Sequence, residues 1–345
     1  MHVVDADQAA AALDLAAGLV ATAPSGCTVE AIVPSGADLS MRGIAGVRAL
    51  PLARRELATS WQLGFTPGVG GGLIHSPSLL APLVRHDRVH DNDQTTATLW
   101  DLRAWDAPDT LPKSVVAWQR GMLRRAVKHA DAVVVPSHAI AGRLGELAKL
   151  AGRIRVIAGA APEGFVVPED ASGRRAALSL PARYVVLVGT SESLSEGFRG
   201  AAAAGLDAVV LDAAEGAEPH LAEVAAAAGL AESRAHIRGS LSMEDRAAVF
   251  AGAEVFASTD PVAAWPWRAL EAMRAGVPII AIDSGAHSDV IADGGRLVPD
   301  ADIAEAIADA AGEGGARLRV LAADRSRAFS WEGSAERVWG LHADL

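Results

Sequence analysis

Short runs of β-branched and aliphatic residues recur along the chain, and each is followed by a longer alanine-rich stretch with apolar positions at helical spacing. That alternation predicts α/β layering on mostly parallel sheets. The strands it predicts in the first half are Val29–Val33, Gly72–His75, Thr95–Leu99, Ala132–Val135 and Arg155–Ile157. A second series covers Tyr184–Val188, Ala208–Leu211, His236–Arg238, Val255–Ala257 and Pro278–Ile282. Pro162–Pro168 and the polar stretch Asp170–Arg174 separate the two series. The pattern predicts two Rossmann-like, doubly wound domains facing a cleft. Residues 1–163 form the first and residues 164–328 the second. Ligands of such domains bind beyond the carboxyl ends of the strands.

Composition narrows the picture. The chain has 345 residues, half of them hydrophobic and only 4% aromatic, with a formal net charge of −11. Such a balance argues against a nucleic-acid partner, because phosphate neutralisation needs clustered Lys and Arg. The one cysteine, Cys27, is expected as a small buried apolar residue in a reducing cytoplasm. The opening Met-His-Val-Val-Asp lacks a basic region ahead of an apolar stretch, and no window is long and apolar enough to cross a membrane. The expectation is a soluble chain without a transmembrane segment.

Several segments invite a chemical reading and do not sustain it. Gly68–Gly72 precedes a strand, whereas a phosphate-cradling loop follows one, so a flexible turn is expected there. Asp91-Asn92-Asp93 offers carboxylates with no third ligand at helical or strand spacing, and no metal or cofactor is expected. His75 at a strand end reads first as a hydrogen-bonded structural histidine and second as a base. His287 reads as a surface-loop residue. Arg120, Arg124, Arg125 and Lys128 around Met122 and Val127 read as a solvated helix face. The competing reading is peripheral contact with an inner membrane face.

Ala132-Val-Val-Val-Pro-Ser-His138, Arg153–Ile157, Val188-Gly-Thr190, Ile237–Ser242, Val255–Ser258, Leu270-Glu-Ala-Met-Arg-Ala-Gly-Val-Pro278 and Phe329-Ser-Trp331 carry a family resemblance. Together they resemble GT-B glycosyltransferases, specifically the retaining family-four enzymes (glycosyl transferases group 1) that use sugar nucleotides. The resemblance implies a closing helix at 329–345 that joins the first domain, and a nucleotide site at Gly189, Thr190, Ser191, Arg238 and Glu271. Glu271 is placed at a helix start, where a carboxylate would accept two ribose hydroxyls.

The departures from that pattern are as informative. The family's first glutamate, which holds the donor sugar, is replaced by Ala263. Ser195 and Glu196 stand at or beside the position of a diphosphate-binding lysine, and a carboxylate there repels the diphosphate. Trp100, followed by Asp101, occupies the place of a histidine at the reaction centre, and indole has no basic nitrogen. Asp5–Leu19 is filled with alanines where the family has a Gly-rich turn. His75, Trp100, Asp101, Ser195, Glu196 and Ala263 are expected to line the cleft. The implied function is hexose transfer from a nucleotide-sugar donor with retention, in a catalytically impaired form. The alternative is a non-catalytic homologue acting as a binding or partner subunit.

Overall fold

The structure, a computed structural model, describes residues 5–87, 90–260 and 264–345. The chain divides into two compact units. The first comprises Met1–Ala160, Val262–Trp265 and Phe329–Leu345, and the second Ala161–Pro261 and Pro266–Ala328.

In the first unit, β1 (Glu30–Val33) and β2 (Gly46–Ala49) form a parallel pair. β3 (Leu73–Ser76), β4 (Gln94–Thr98), β5 (Ala132–Val135) and β6 (Ile154–Val156) form a parallel sheet in that order. The central strands β4 and β5 are buried along their whole length, as parallel strands covered on both faces must be. Around them run α1 (Ala6–Ala21), α2 (Arg54–Leu63), α3 (Lys113–His129) and α4 (His138–Leu147). The core gathers Leu57, Leu83, Leu102, Met122, Ile140 and Leu144 against the sheet. Helix starts follow the sequence: Asp5 caps α1 through bonds from Asp7 N and Gln8 N, and Ser137 caps α4 by accepting from Ile140 N.

The last helix, Trp331–Asp344, packs on α1. Gly18 permits this approach, because a Cβ there would lie 2.7 Å from the Trp331 carbonyl oxygen. Ser334 Oγ donates to Ala158 O at 2.6 Å and Trp339 Nε1 to Leu19 O at 3.2 Å. Beneath the helix, His342 Nδ1 donates to Gln94 Oε1 at 2.7 Å, and Gln94 Nε2 returns a bond to His342 O at 3.1 Å.

The second unit carries β7 (Tyr184–Val188), β8 (Asp207–Val210), β9 (Ala235–Ile237), β10 (Val255–Ser258), β11 (Ile279–Ile282) and β12 (Arg296–Val298). All pair in parallel, in the order β12-β11-β10-β7-β8-β9. The strand order reverses between β7 and β10, which makes their carboxyl ends the topological switch point. The helices that matter here are α5 (Leu194–Ala203), α6 (Met243–Gly252), α7 (Trp267–Arg274) and α8 (Gly285–Ile291). Both units therefore have the parallel α/β layering that the sequence predicts.

Three local expectations are corrected. Cys27 is exposed, since it sits in the turn before β1 and not within a strand. His287 is buried, 4% exposed, because its segment forms α8 under the carboxyl ends of β10 and β11. β2 and β12 are strands that the pattern does not announce. The turn ahead of β3 is pinned: Gly68, Gly70 and Gly72 have φ of 78°, 79° and 99°, and Gly72 N donates to Asp93 Oδ1 at 2.6 Å.

Candidate functional site

At the switch point of the second unit, the chain leaves β7 through Gly189 and enters a knot of hydroxyls. Thr190 N donates to Ser193 Oγ at 2.9 Å, and Ser193 N to Thr190 Oγ1 at 3.3 Å. Thr259 Oγ1, just past β10, donates to Ser193 Oγ at 3.0 Å. A Cβ on residue 189 would lie 2.2 Å from Thr259 Oγ1 and 2.6 Å from Ser193 Oγ, so glycine alone lets the two strand ends close on each other. Thr190 is exposed and Ser191 half-buried, which leaves the loop open to a ligand. Glu196 stands in the first turn of α5, and its carboxylate pairs with Arg199 one turn on. Ser195 is half-buried on the same turn.

His287 is held between two serines: Ser258 Oγ lies 3.0 Å from Nε2, and Ser284 Oγ 3.0 Å from Nδ1. Burial pushes its pKa down to about 4, against weaker opposing effects of a backbone bond at Ile282 and the charge of Asp260. It is a neutral ring at physiological pH.

Glu271 differs most from its expected setting. It is the fifth residue of α7, not its first, and its side chain is fully buried. Arg246 on α6 donates to it from Nε and Nη2, and Arg268 donates from Nη1 at 3.1 Å. Arg268 in turn binds Asp212 beyond β8, with Nε to Oδ2 at 2.7 Å. The carboxylate is thus the centre of an ion-pair network. Arg238 follows β9, two strands from β7. Its guanidinium bonds the carbonyls of Ile237 at 2.8 Å and Leu178 at 2.6 Å, so it is not brought to Gly189.

In the first unit, Trp100 lies two residues beyond β4 and is 4% exposed. Its Nε1 donates to Pro77 O at 2.9 Å, and its ring meets Trp331 edge-on at 6.4 Å. Asp101 is buried and accepts from Arg103 Nη2 at 3.0 Å, Arg103 N at 3.0 Å and Gln8 Nε2 at 3.3 Å. His75 on β3 is bracketed by Thr96 Oγ1 at 2.9 Å and Thr98 Oγ1 at 3.4 Å. Burial, reinforced by His342, pushes its pKa down to about 3, so its ring is neutral at physiological pH. Ala263 lies outside the described residues. On α3, Arg120 and Arg125 are bonded to the Ala104 and Leu83 carbonyls rather than simply solvated. Among the described residues no group of three His, Cys, Asp or Glu could hold a metal ion, and no helix is long and apolar enough to cross a membrane.

Residues 185–313 match the family model for glycosyl transferases group 1. That stretch runs from β7 through the switch point and α7 to the end of the second sheet. Solved structures extend the likeness over nearly all of the chain. Sucrose-phosphate synthase from Thermosynechococcus elongatus aligns at 22% identity over 96% of this chain and 91% of its own, with a TM-score of 0.64. HepE from Anabaena, solved with UDP, aligns at 18% identity over 100% and 98%, with a TM-score of 0.66. The chain has the GT-B glycosyltransferase fold. No curated protein matches it in sequence.

Within the GT-B fold, the sequence reading named Gly189, Thr190 and Glu271 but missed the groups that engage them. Arg268 was legible, since it precedes Glu271 by three residues on one helix and such pairs meet. Arg246, Ser193 and Thr259 come from other elements and only the topology brings them in.

Proposed function

We propose that this GT-B chain binds a nucleoside diphosphate sugar at the switch point of its second unit and belongs functionally with the retaining hexosyltransferases, in a catalytically impaired form. The observation that carries the reading is the open Gly189–Ser193 loop, lying at the switch point inside the segment that matches the group 1 model. HepE from Anabaena has been solved with UDP-glucose, which supports a sugar nucleotide as the ligand class. In this reading the diphosphate lies against the backbone of Gly189 and Ser191, while Arg238 is held by the Ile237 and Leu178 carbonyls and Glu271 by Arg246 and Arg268, so neither completes the nucleotide side as placed.

Impairment rests on the chemistry of the substitutions. Glu196 brings negative charge to the diphosphate side. Trp100 offers no base, and its N–H is already engaged by Pro77. Ala263 has no carboxylate for the donor sugar. The capture of Glu271 by Arg246 and Arg268 favours a second reading, a non-catalytic binding or partner subunit, because that carboxylate is not presented to a ribose.

Calorimetric titration with uridine, guanosine and thymidine diphosphates and their sugars tests the proposal. Saturable but weak binding of one nucleotide is expected, and silence from the whole panel sinks the donor site. Robust sugar transfer by the unmodified chain removes the impairment.

A further inference from the structure

The first unit contains a cavity of about 680 Å³, separate from the Gly189–Ser193 loop. Its size falls within the roughly 300–1,000 Å³ of small-molecule sites. It opens beside Trp100 and Asp101, at the carboxyl end of β4, where doubly wound sheets bind their ligands. Its walls divide into two kinds. Leu13, Val33, Leu39, Leu79, Val115 and Trp118 supply an apolar lining, and Leu13 is 49% exposed on α1, a large aliphatic side chain left facing solvent at a cavity wall.

The other kind is a polar cluster of Gln8, Asp101, Arg103 and Gln119. Arg103 is ion-paired to Asp5 and Asp101, so this cluster carries no excess positive charge for a phosphate. The remaining charged lining residues, Asp38 and Arg54, are exposed and of opposite sign. Two of the cluster's buried atoms, the donor Arg103 Nε and the acceptor Gln119 Oε1, have no hydrogen-bond partner among the described residues. A missing acceptor and a missing donor are what hydroxyl groups supply, because each hydroxyl both gives and accepts.

We propose that this cavity binds an alcohol with a largely apolar body, its hydroxyl end at Gln8, Asp101, Arg103 and Gln119 and its body along Leu39, Val115 and Trp118. Resting on the transferase reading, this ligand is the acceptor.

Alkyl glucosides below their micelle concentrations are suitable probes. Methyl, hexyl and octyl β-D-glucopyranoside are titrated into the full chain by calorimetry, with UDP titrated separately. The expected result is at least about tenfold tighter binding of the hexyl than of the methyl glucoside, about 1.4 kcal/mol. Val115→Trp, which fills the apolar wall, abolishes hexyl glucoside binding and leaves UDP binding unchanged. Should that variant fail to fold, Ala12→Phe obstructs the same cavity from α1. Gln119→Leu weakens every glucoside, as loss of packing alone does not. Equal affinity for methyl and hexyl glucosides, or no glucoside binding, overturns the proposal even where UDP binds. Hexyl glucoside binding without any nucleotide binding keeps the pocket and removes the transferase reading.

Discussion

Arg246 closes on Glu271 with two of its nitrogens: Nε lies 3.1 Å from each carboxylate oxygen, and Nη2 lies 2.8 Å from Oε1. The pair ties α6 to α7, and Arg268 extends it to Asp212. A carboxylate so enclosed contributes first to the integrity of the second unit.

Replacing Glu271 by Gln leaves two buried guanidinium groups without their shared counter-charge. Breaking one partner of a buried ion pair costs about 3–5 kcal/mol, and a loss of that order is expected in urea unfolding of the chain. A change below about 1 kcal/mol would show that the network does not hold α7.

Glu196→Lys reverses the charge beside the proposed diphosphate position and releases Arg199 from its partner. UDP should bind on the order of tenfold tighter at low ionic strength, with the gain shrinking as salt screens it. Sugar transfer should remain undetectable, because the variant returns neither a base nor a sugar-holding carboxylate. An unchanged UDP affinity across the salt series would place the diphosphate elsewhere.

Gly189→Ala forces a Cβ into Thr259 Oγ1 and Ser193 Oγ. Overpacking of this kind costs about 1–3 kcal/mol. The knot that joins the ends of β7 and β10 should open, and UDP affinity should fall with stability. Retention of both would mean that the loop relaxes without consequence for the site.

Three histidines make the chain acid-sensitive. Burial lowers His75 to about 3, and His287 and His342 to about 4, from an ordinary value of 6.5. Between these values the unfolded chain binds the extra protons, so stability is complete above about pH 6.5 and declines as pH falls toward 4 and 3. At pH 5 each neutral histidine accounts for up to about 2 kcal/mol of loss. Denaturant unfolding at pH 7 and pH 5 measures the sum, and His75→Asn should remove its share of the difference. A flat profile between these two pH values contradicts the assignment.

β5 and β7 were legible because they are continuous apolar runs. Tyr184–Val188 and Ala132–Val135 coincide with prediction to the residue. β2 and β12 escaped notice for the opposite reason: Gly46–Ala49 and Arg296–Val298 are short, lie at sheet edges and expose much of their surface. Residues defined by what surrounds them could not be read locally. Cys27 looked buried by residue type, while its turn leaves it exposed. His287 looked exposed by its polar neighbours Ser284 and Ser288, yet one of those serines and Ser258 enclose its ring. Glu271 was read as a helix-start anion, but only the chain's return through α6 supplies Arg246.

The interrupted course of the first unit bears on how the protein is made. Residues 329–345 supply the helix that covers α1, β4 and Gln94, and they follow the whole of the second unit in the chain. During synthesis the second unit can therefore mature while α1 still lacks its cover, with Ala11, Leu15 and Gly18 left open to solvent or to a chaperone. The first unit, begun before the second, is completed only after it.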